Sequence, residues 1–415
     1  MRDLLPEEAE RLTYVISKAR ETATLYGYKE VITPVVEPLD LLAAKAGEEI
    51  RQRMFIFEDM GGRKVALRPE FTASIARLAT TALRNEPKPL RTLSVGSVYR
   101  YDEPQKGRYR EFWQADFEVI GSSKPEADAE VILLANNLLK SVGLKGYALK
   151  LGHVGVVRNL LTQEGVDEKT QNAVLQRMDK KEYDAAFALV DSEKCQNALR
   201  GLLTLKGKTA SETVQNLCAY VEAYPKALEA TQYLASVFRL VTEGGCEVEM
   251  VDPAFARGLE YYTGIIFELY VPELDIALGG GGRYDKLIEL FGGEPTPATG
   301  MAAGIDRIVI ATQAQQIILP KPSAKRVFVV PIKEDLKGEA LKIAQMLREA
   351  GTPVYFEVMG RKMGKALEDA DKRKADYAVI VGERELKEGK VVLKDIAKRT
   401  QSEVEINALK EKVSV

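Results

Sequence analysis

The sequence predicts a multidomain protein of mixed α/β and α+β class, and three features carry that expectation. Two apolar segments, 90–101 and 111–121, flank the polar, glycine-containing connection PQKGRYR, the pattern of an antiparallel hairpin with a long loop. Residues from about 155 to 245 are low in glycine and helical in period. Beyond residue 325, VFVVPI, PVYFEV and YAVIVG alternate with helical patterns near 335–350 and 361–374. Those runs are apolar enough to be strands buried on both faces of a compact α/β domain.

Taken in order, residues 7–25 form an amphipathic helical pattern, with Leu12, Val15, Ile16 and Ala19 spaced at three and four. TyrGlyTyr at 26–28 breaks it. Val31-Ile32 and Val35-Val36 suggest an extended segment interrupted by Pro34. KVALR at 64–68 reads as a short strand, followed by Pro69 and a helix to about 84. After the hairpin and the helical stretch, strand patterns return at 247–251 and 264–271. A GGGGRYD run at 279–285, a helix, and GMAAGIDRIVI at 300–310 follow. KPSAKR at 321–326 is the best boundary in the chain, giving domains at 1–320 (with a helical insert at about 155–245) and 326–415.

Composition excludes several classes. With 415 residues and 46% hydrophobic content, the chain exceeds one ordinary domain and has material for sizeable cores. No apolar run approaches the roughly 20 residues of a membrane span. The start MRDLLPEEAERL lacks a signal-peptide layout, so a cytoplasmic protein is expected. Cys195, Cys218 and Cys246 are scattered, which argues for free buried thiols over a disulfide framework. One histidine, His153, is too few for an imidazole–thiolate zinc site, so no structural zinc or other protein-held metal is expected. A structural role is the reading favoured for His153. Net charge is −2 overall, yet from Lys325 onward 20 Lys+Arg face 16 Asp+Glu. That mildly basic tail is compatible with RNA contact without requiring it.

The chemistry-bearing residues sit in unusual contexts. In EFWQADFEVIG (111–121), a period of two places Phe112, Gln114, Asp116 and Glu118 on one face and Trp113, Ala115, Phe117 and Val119 on the other. A strand with one solvated face and a strand lining a ligand pocket both fit this pattern. Arg100 in SVYRYDE, Arg257 in FARGLEYYTG and Arg307 in AAGIDRIVI each occupy apolar or glycine-rich surroundings. A partly buried arginine needs an anion, from an internal carboxylate or a phosphate. Three together near glycine turns suit a triphosphate better than three separate ion pairs. No GxxxxGK[ST] loop is present. The GGGG run lacks a phosphate-loop pattern, so its glycines suit a tight turn or close backbone approach to a ligand.

These motifs resemble those of the histidine–tRNA ligase family over nearly the whole length. YGYKEVITPVVEP (26–38), VYRYDEPQKGRYREFWQADFEVIG (98–121) and PATGMAAGIDRIVI (297–310) are similar to the three class II synthetase motifs. ARGLEYYTG (256–264) is similar to the histidine-specific signature, with GGRYD (281–285) in support. The resemblance implies a class II catalytic domain on an antiparallel sheet, a helical insert, and a C-terminal α/β anticodon-binding domain. It implies ATP-dependent activation of L-histidine and transfer to tRNA(His), with Mg2+ accompanying ATP, in a homodimer. Glu118 and Tyr261 or Tyr262 would take the imidazole, and Glu70, Thr72 and Gln114 the α-amino group. Arg100 would bind the α-phosphate, Arg307 the γ-phosphate and Arg108 ATP from the loop. Arg257 would act at the carboxylate and α-phosphate, making Arg257 and Arg100 the catalytic pair. The alternative is a catalytically inactive, histidine-sensing paralogue of the catalytic domain.

Overall fold

The computed structural model describes residues 1–44, 51–103, 107–256, 261–320 and 324–413, which form two compact units, Met1–Ile318 and Leu319–Val415. In the first unit, the helix Pro6–Leu25 opens with proline and two acids in its first turn, both suited to the unpaired N–H groups there. It ends at Gly27, whose φ of +75° suits the reversal only glycine makes without strain. Extended chain then supplies β1 (Lys29–Glu30) and β2 (Val36–Pro38), and after them β3 (Ile56–Glu58) and β4 (Lys64–Leu67). The last three form a small antiparallel sheet in the order β2-β4-β3.

The hairpin consists of β5 (Leu90–Tyr99) and β6 (Glu111–Ile120), and the sheet is completed by β7 (Ala148–His153), β8 (Met250–Val251), β9 (Ile265–Val271), β10 (Ile276–Arg283) and β11 (Ala298–Gly304). The eight-stranded order is β1-β5-β6-β11-β10-β9-β7-β8, antiparallel except for the β1–β5 and β7–β8 pairs at its two edges. On β6, Ala115, Phe117 and Val119 join the main core with Leu12, Val15, Ile16 and Ala19 of the first helix. Burying each large apolar side chain there contributes about 1.5–3 kcal/mol. The other face of β6 is not solvated: Gln114, Asp116 and Glu118 are all buried.

The glycine run is part of a strand, not a turn. It occupies β10 between β9 and β11, where a Cβ on Gly279 would come 2.7 Å from the Ala302 carbonyl oxygen. The glycines therefore permit close approach of a neighbouring strand, and the helix after them is one short turn, Leu287–Leu290.

Between β7 and β8 the chain is helical, with the longer helices at Val154–Gln163, Glu168–Asp179, Glu193–Thr204, Ala210–Tyr220 and Pro225–Glu243. Asp167, Ser192 and Thr209 each accept a hydrogen bond from the backbone three residues on, capping three of these helices. His153 is a buried cap of the same kind, accepting from Gly155 N at 3.0 Å through Nδ1. Burial, with Arg283 nearby, pushes its pKa down to about 4, so it is neutral at pH 7. Cys195 and Cys246 are buried thiols, whereas Cys218 is only half-buried, because it lies on the flank of a surface helix.

In the second unit, β12 (Val327–Pro331), β13 (Val354–Phe356), β14 (Tyr377–Val381), β15 (Lys390–Asp395) and β16 (Gln401–Glu405) run in the order β13-β12-β14-β15-β16. Strand β12 is parallel to both of its neighbours, and the β14–β15 and β15–β16 pairs are antiparallel. β12 is buried throughout. PVYFEV departs from the two-sided burial expected of it, since β13 is an edge strand with Tyr355 exposed. Of the basic clusters here, Arg361 pairs with Glu357 and Asp369, both at 3.2 Å, and Arg373 with Asp369 at 2.8 Å.

Candidate active site

The polar face of β6 opens on a cavity of about 440 Å³ walled by β6, β9, β10, β11 and the segments before and after the hairpin. Glu70, Thr72, Arg100, Arg108, Gln114, Glu118, Tyr261, Tyr262 and Arg307, all named from the sequence, line it together. Arg257 lies outside the described residues, as do Pro104, Gln105 and Lys106 of the hairpin loop.

The acidic end is built across three strands. Glu118 faces Thr92 on β5 and Gly300 on β11. Tyr284, just past β10, donates a short hydrogen bond from its hydroxyl to Glu118 Oε2. Burial, reinforced by Glu118, holds that phenol well above the usual tyrosine range, so it stays a donor. Tyr261 packs between Tyr262 and Tyr284, with ring centroids 4.6 and 5.9 Å away, and burial raises its pKa as well. Gln114 Oε1 is a buried acceptor with no hydrogen-bond partner among the described residues, where an incoming N–H donor would satisfy it.

The arginines are held by carbonyls. Arg100 Nε donates to Pro69 O at 2.9 Å, which joins the hairpin to the RPEFT segment. Arg307 donates from Nε to Gly107 O at 3.1 Å and from Nη1 to Ala277 O at 3.0 Å. Each of these carbonyl bonds fixes the orientation of a guanidinium that lines the cavity. Arg68 of RPEFT serves the fold instead. It donates to Thr33 O at 2.8 Å and Ser97 O at 3.0 Å and stacks on Phe71, tying the segment that carries Glu70 and Thr72 to β5.

Sequence reasoning missed Tyr284, Asp306, Tyr109 and Arg53 as parts of the wall. Tyr284 stood in GGRYD and Asp306 in GIDR, but neither motif says which atoms its side chain meets. Among the described residues, no group of three or more His, Cys, Asp or Glu side chains is placed to share a metal ion.

The chain is similar to known proteins over nearly its whole length. Residues 1–308 match the family described as Histidyl-tRNA synthetase, and residues 326–415 match an anticodon binding domain. The chain is 40% identical to the histidine–tRNA ligase of Methanocaldococcus jannaschii, over 98% of this chain and 97% of that protein. It is 38% identical to that of Pyrococcus furiosus, over 99% and 96% of the two chains. Among solved structures, apo histidyl-tRNA synthetase from S. aureus is similar at a TM-score of 0.76 and 28% identity, covering 100% of this chain and 98% of that one. A Bacillus halodurans structure titled as an ATP phosphoribosyltransferase regulatory subunit/histidyl-tRNA synthetase gives 0.75 at 28% identity, over 89% and 94%. On the match over residues 1–308 and the near full-length relatives, the chain belongs to the histidyl-tRNA synthetase family, within the class II aminoacyl-tRNA synthetases.

Proposed function

We propose that this chain activates L-histidine with ATP and transfers the histidyl group to the 3′ end of tRNA(His). The observation that carries the proposal is the meeting of Glu118, Tyr261 and Tyr262 with Arg100, Arg108 and Arg307 in one cavity. An imidazole has two distinct nitrogens, and a site with a partner for each leaves buried polar groups unpaired when another side chain enters. Glu118 and a tyrosine of the 261–262 pair supply those partners, and Glu70, Thr72 and Gln114 receive the α-amino group.

In the first step a histidine carboxylate oxygen attacks the α-phosphorus, and the bond to pyrophosphate breaks. In the second, a ribose hydroxyl of the tRNA end attacks the carbonyl carbon and AMP leaves. Neither step needs a covalent enzyme intermediate, so the protein contributes positioning and charge neutralisation. Arg100 and Arg257 serve the α-phosphate and carboxylate, Arg307 the γ-phosphate, and Arg108 closes from the loop. Magnesium travels with ATP as part of the substrate and adds charge neutralisation at its phosphates.

The unit Leu319–Val415 is assigned to the anticodon, on its family match. Homodimerisation through the 26–38 segment and the small sheet is supported by exposed Ile32, Val36, Ile56, Phe57 and Met60. The cytoplasm is the assigned compartment; among the described residues no helix is long and apolar enough to cross a membrane.

Histidine-dependent ATP–pyrophosphate exchange by the purified protein is the test. Absence of exchange from a folded protein would favour the histidine-sensing alternative, and exchange with another amino acid would overturn the substrate alone.

A further inference from the structure

Two residues of the cavity wall, Asp306 and Tyr109, meet at a side chain that no motif singles out. Arg2 Nη2 lies 2.5 Å from Asp306 Oδ1, and the Arg2 guanidinium carbon sits 3.5 Å from the centroid of the Tyr109 ring. Asp306 is 4% exposed, and its second oxygen accepts from Trp113 N at 2.6 Å. That backbone bond fixes the carboxylate near the start of β6, one residue before Arg307.

A buried carboxylate in the wall of an anion-binding cavity is unfavourable unless a cation offsets it, because it opposes every phosphate that enters. Burial raises the Asp306 pKa, while the Trp113 N–H and Arg2 both favour its ionised form. Arg2 supplies the compensating charge. Its contact with Tyr109 does a second thing. Tyr109 lies two residues beyond Gly107, whose carbonyl accepts from Arg307, and next to Arg108. A guanidinium stacked on that ring holds the returning arm of the hairpin loop against the wall.

We propose that Arg2 is a positioning residue of the ATP site, neutralising Asp306 and seating Tyr109 so that Arg108 and Arg307 meet the triphosphate without a competing carboxylate. The proposal rests on the ATP-dependent function above.

The test uses the full-length protein and its single tryptophan, Trp113, which lines the cavity and reports ATP or histidine binding by fluorescence without turnover. Arg2→Ala is expected to weaken ATP binding about tenfold and histidine binding less than about twofold. Arg2→Lys, which keeps the charge, should stay within about threefold of the wild type. The decisive variant is Arg2→Ala with Asp306→Asn, since Asn still accepts from Trp113 N but carries no charge. It should recover ATP binding to within about threefold of the wild type, which a merely structural role for Arg2 does not predict. A double variant as weak as Arg2→Ala overturns the proposal. So does an Arg2→Ala protein that binds ATP normally or loses both ligands equally. If the wild type binds ATP yet catalyses no histidine-dependent exchange, the enzymatic reading fails, and the same binding series still decides the role of Arg2.

Discussion

Gly300 stands directly opposite Glu118 in the β6–β11 ladder, and a Cβ at position 300 would overlap the Glu118 carboxylate and come 2.7 Å from the Phe117 carbonyl oxygen. The carboxylate assigned to the imidazole thus occupies space that only glycine leaves open. Gly300→Ala is expected to displace Glu118 and raise KM for histidine by about tenfold or more, with KM for ATP within about threefold. Pyrophosphate exchange at varied histidine and ATP reads both. An unchanged histidine KM in folded Gly300→Ala would mean that the sheet spreads to accept a methyl group.

The alternation in EFWQADFEVIG was legible because a strand has period two, so which residues share a face could be read directly. That the polar face is buried could not be read there, since burial depends on Gly300, Tyr284 and Tyr261, which arrive from distant segments. The hydroxyl of Tyr284 reaches Glu118 across 166 residues of sequence, and Arg2 reaches Asp306 across 304. No local period encodes either pairing. Of the two readings of the glycine run, the tight turn fails, because Ile276–Arg283 is a strand whose glycines stand where β-branched residues usually mark one. Close backbone approach to a ligand still stands, since Gly279 and Gly280 line the cavity. Edge position explains PVYFEV, where the sequence shows an apolar run but not which strand lies outermost.

Arg283 of GGRYD serves structure. Its Nη2 and Nε lie 2.7 and 3.1 Å from Asp128 Oδ2, with the two side chains 5% and 1% exposed, and Tyr233 OH donates to the same oxygen at 2.6 Å. Asp128→Ala leaves a buried guanidinium with, among the described residues, only the more exposed Asp285 at 3.1 Å as an ion-pair partner. The expected loss is about 3 kcal/mol on the unfolding transition of the first unit. Asp128→Asn, which keeps an acceptor, should lose less. Urea unfolding of both variants measures this, and a loss below about 1 kcal/mol for the alanine variant would mean that water or Asp285 suffices.

The His153 cap ties stability to pH. Its folded pKa of about 4 lies below the ordinary 6.5, chiefly through burial and secondarily through Arg283. Between those values the unfolded chain binds a proton that the folded one refuses, so stability is full above about 6.5 and falls as pH drops toward 4. From pH 7 to pH 5 the loss attributable to this group is about 2 kcal/mol. His153→Asn retains a side-chain acceptor for Gly155 N but does not titrate, and since His153 is the chain's single histidine, no other imidazole masks the comparison. Urea midpoints at pH 7 and pH 5 should therefore separate for the wild type and draw together for the variant. Equal losses in both proteins would assign the acid sensitivity to carboxylates held below their ordinary range, such as Glu164 bonded to Lys194 and Asp369 bonded to Arg373, because the unfolded chain protonates these before the folded one does.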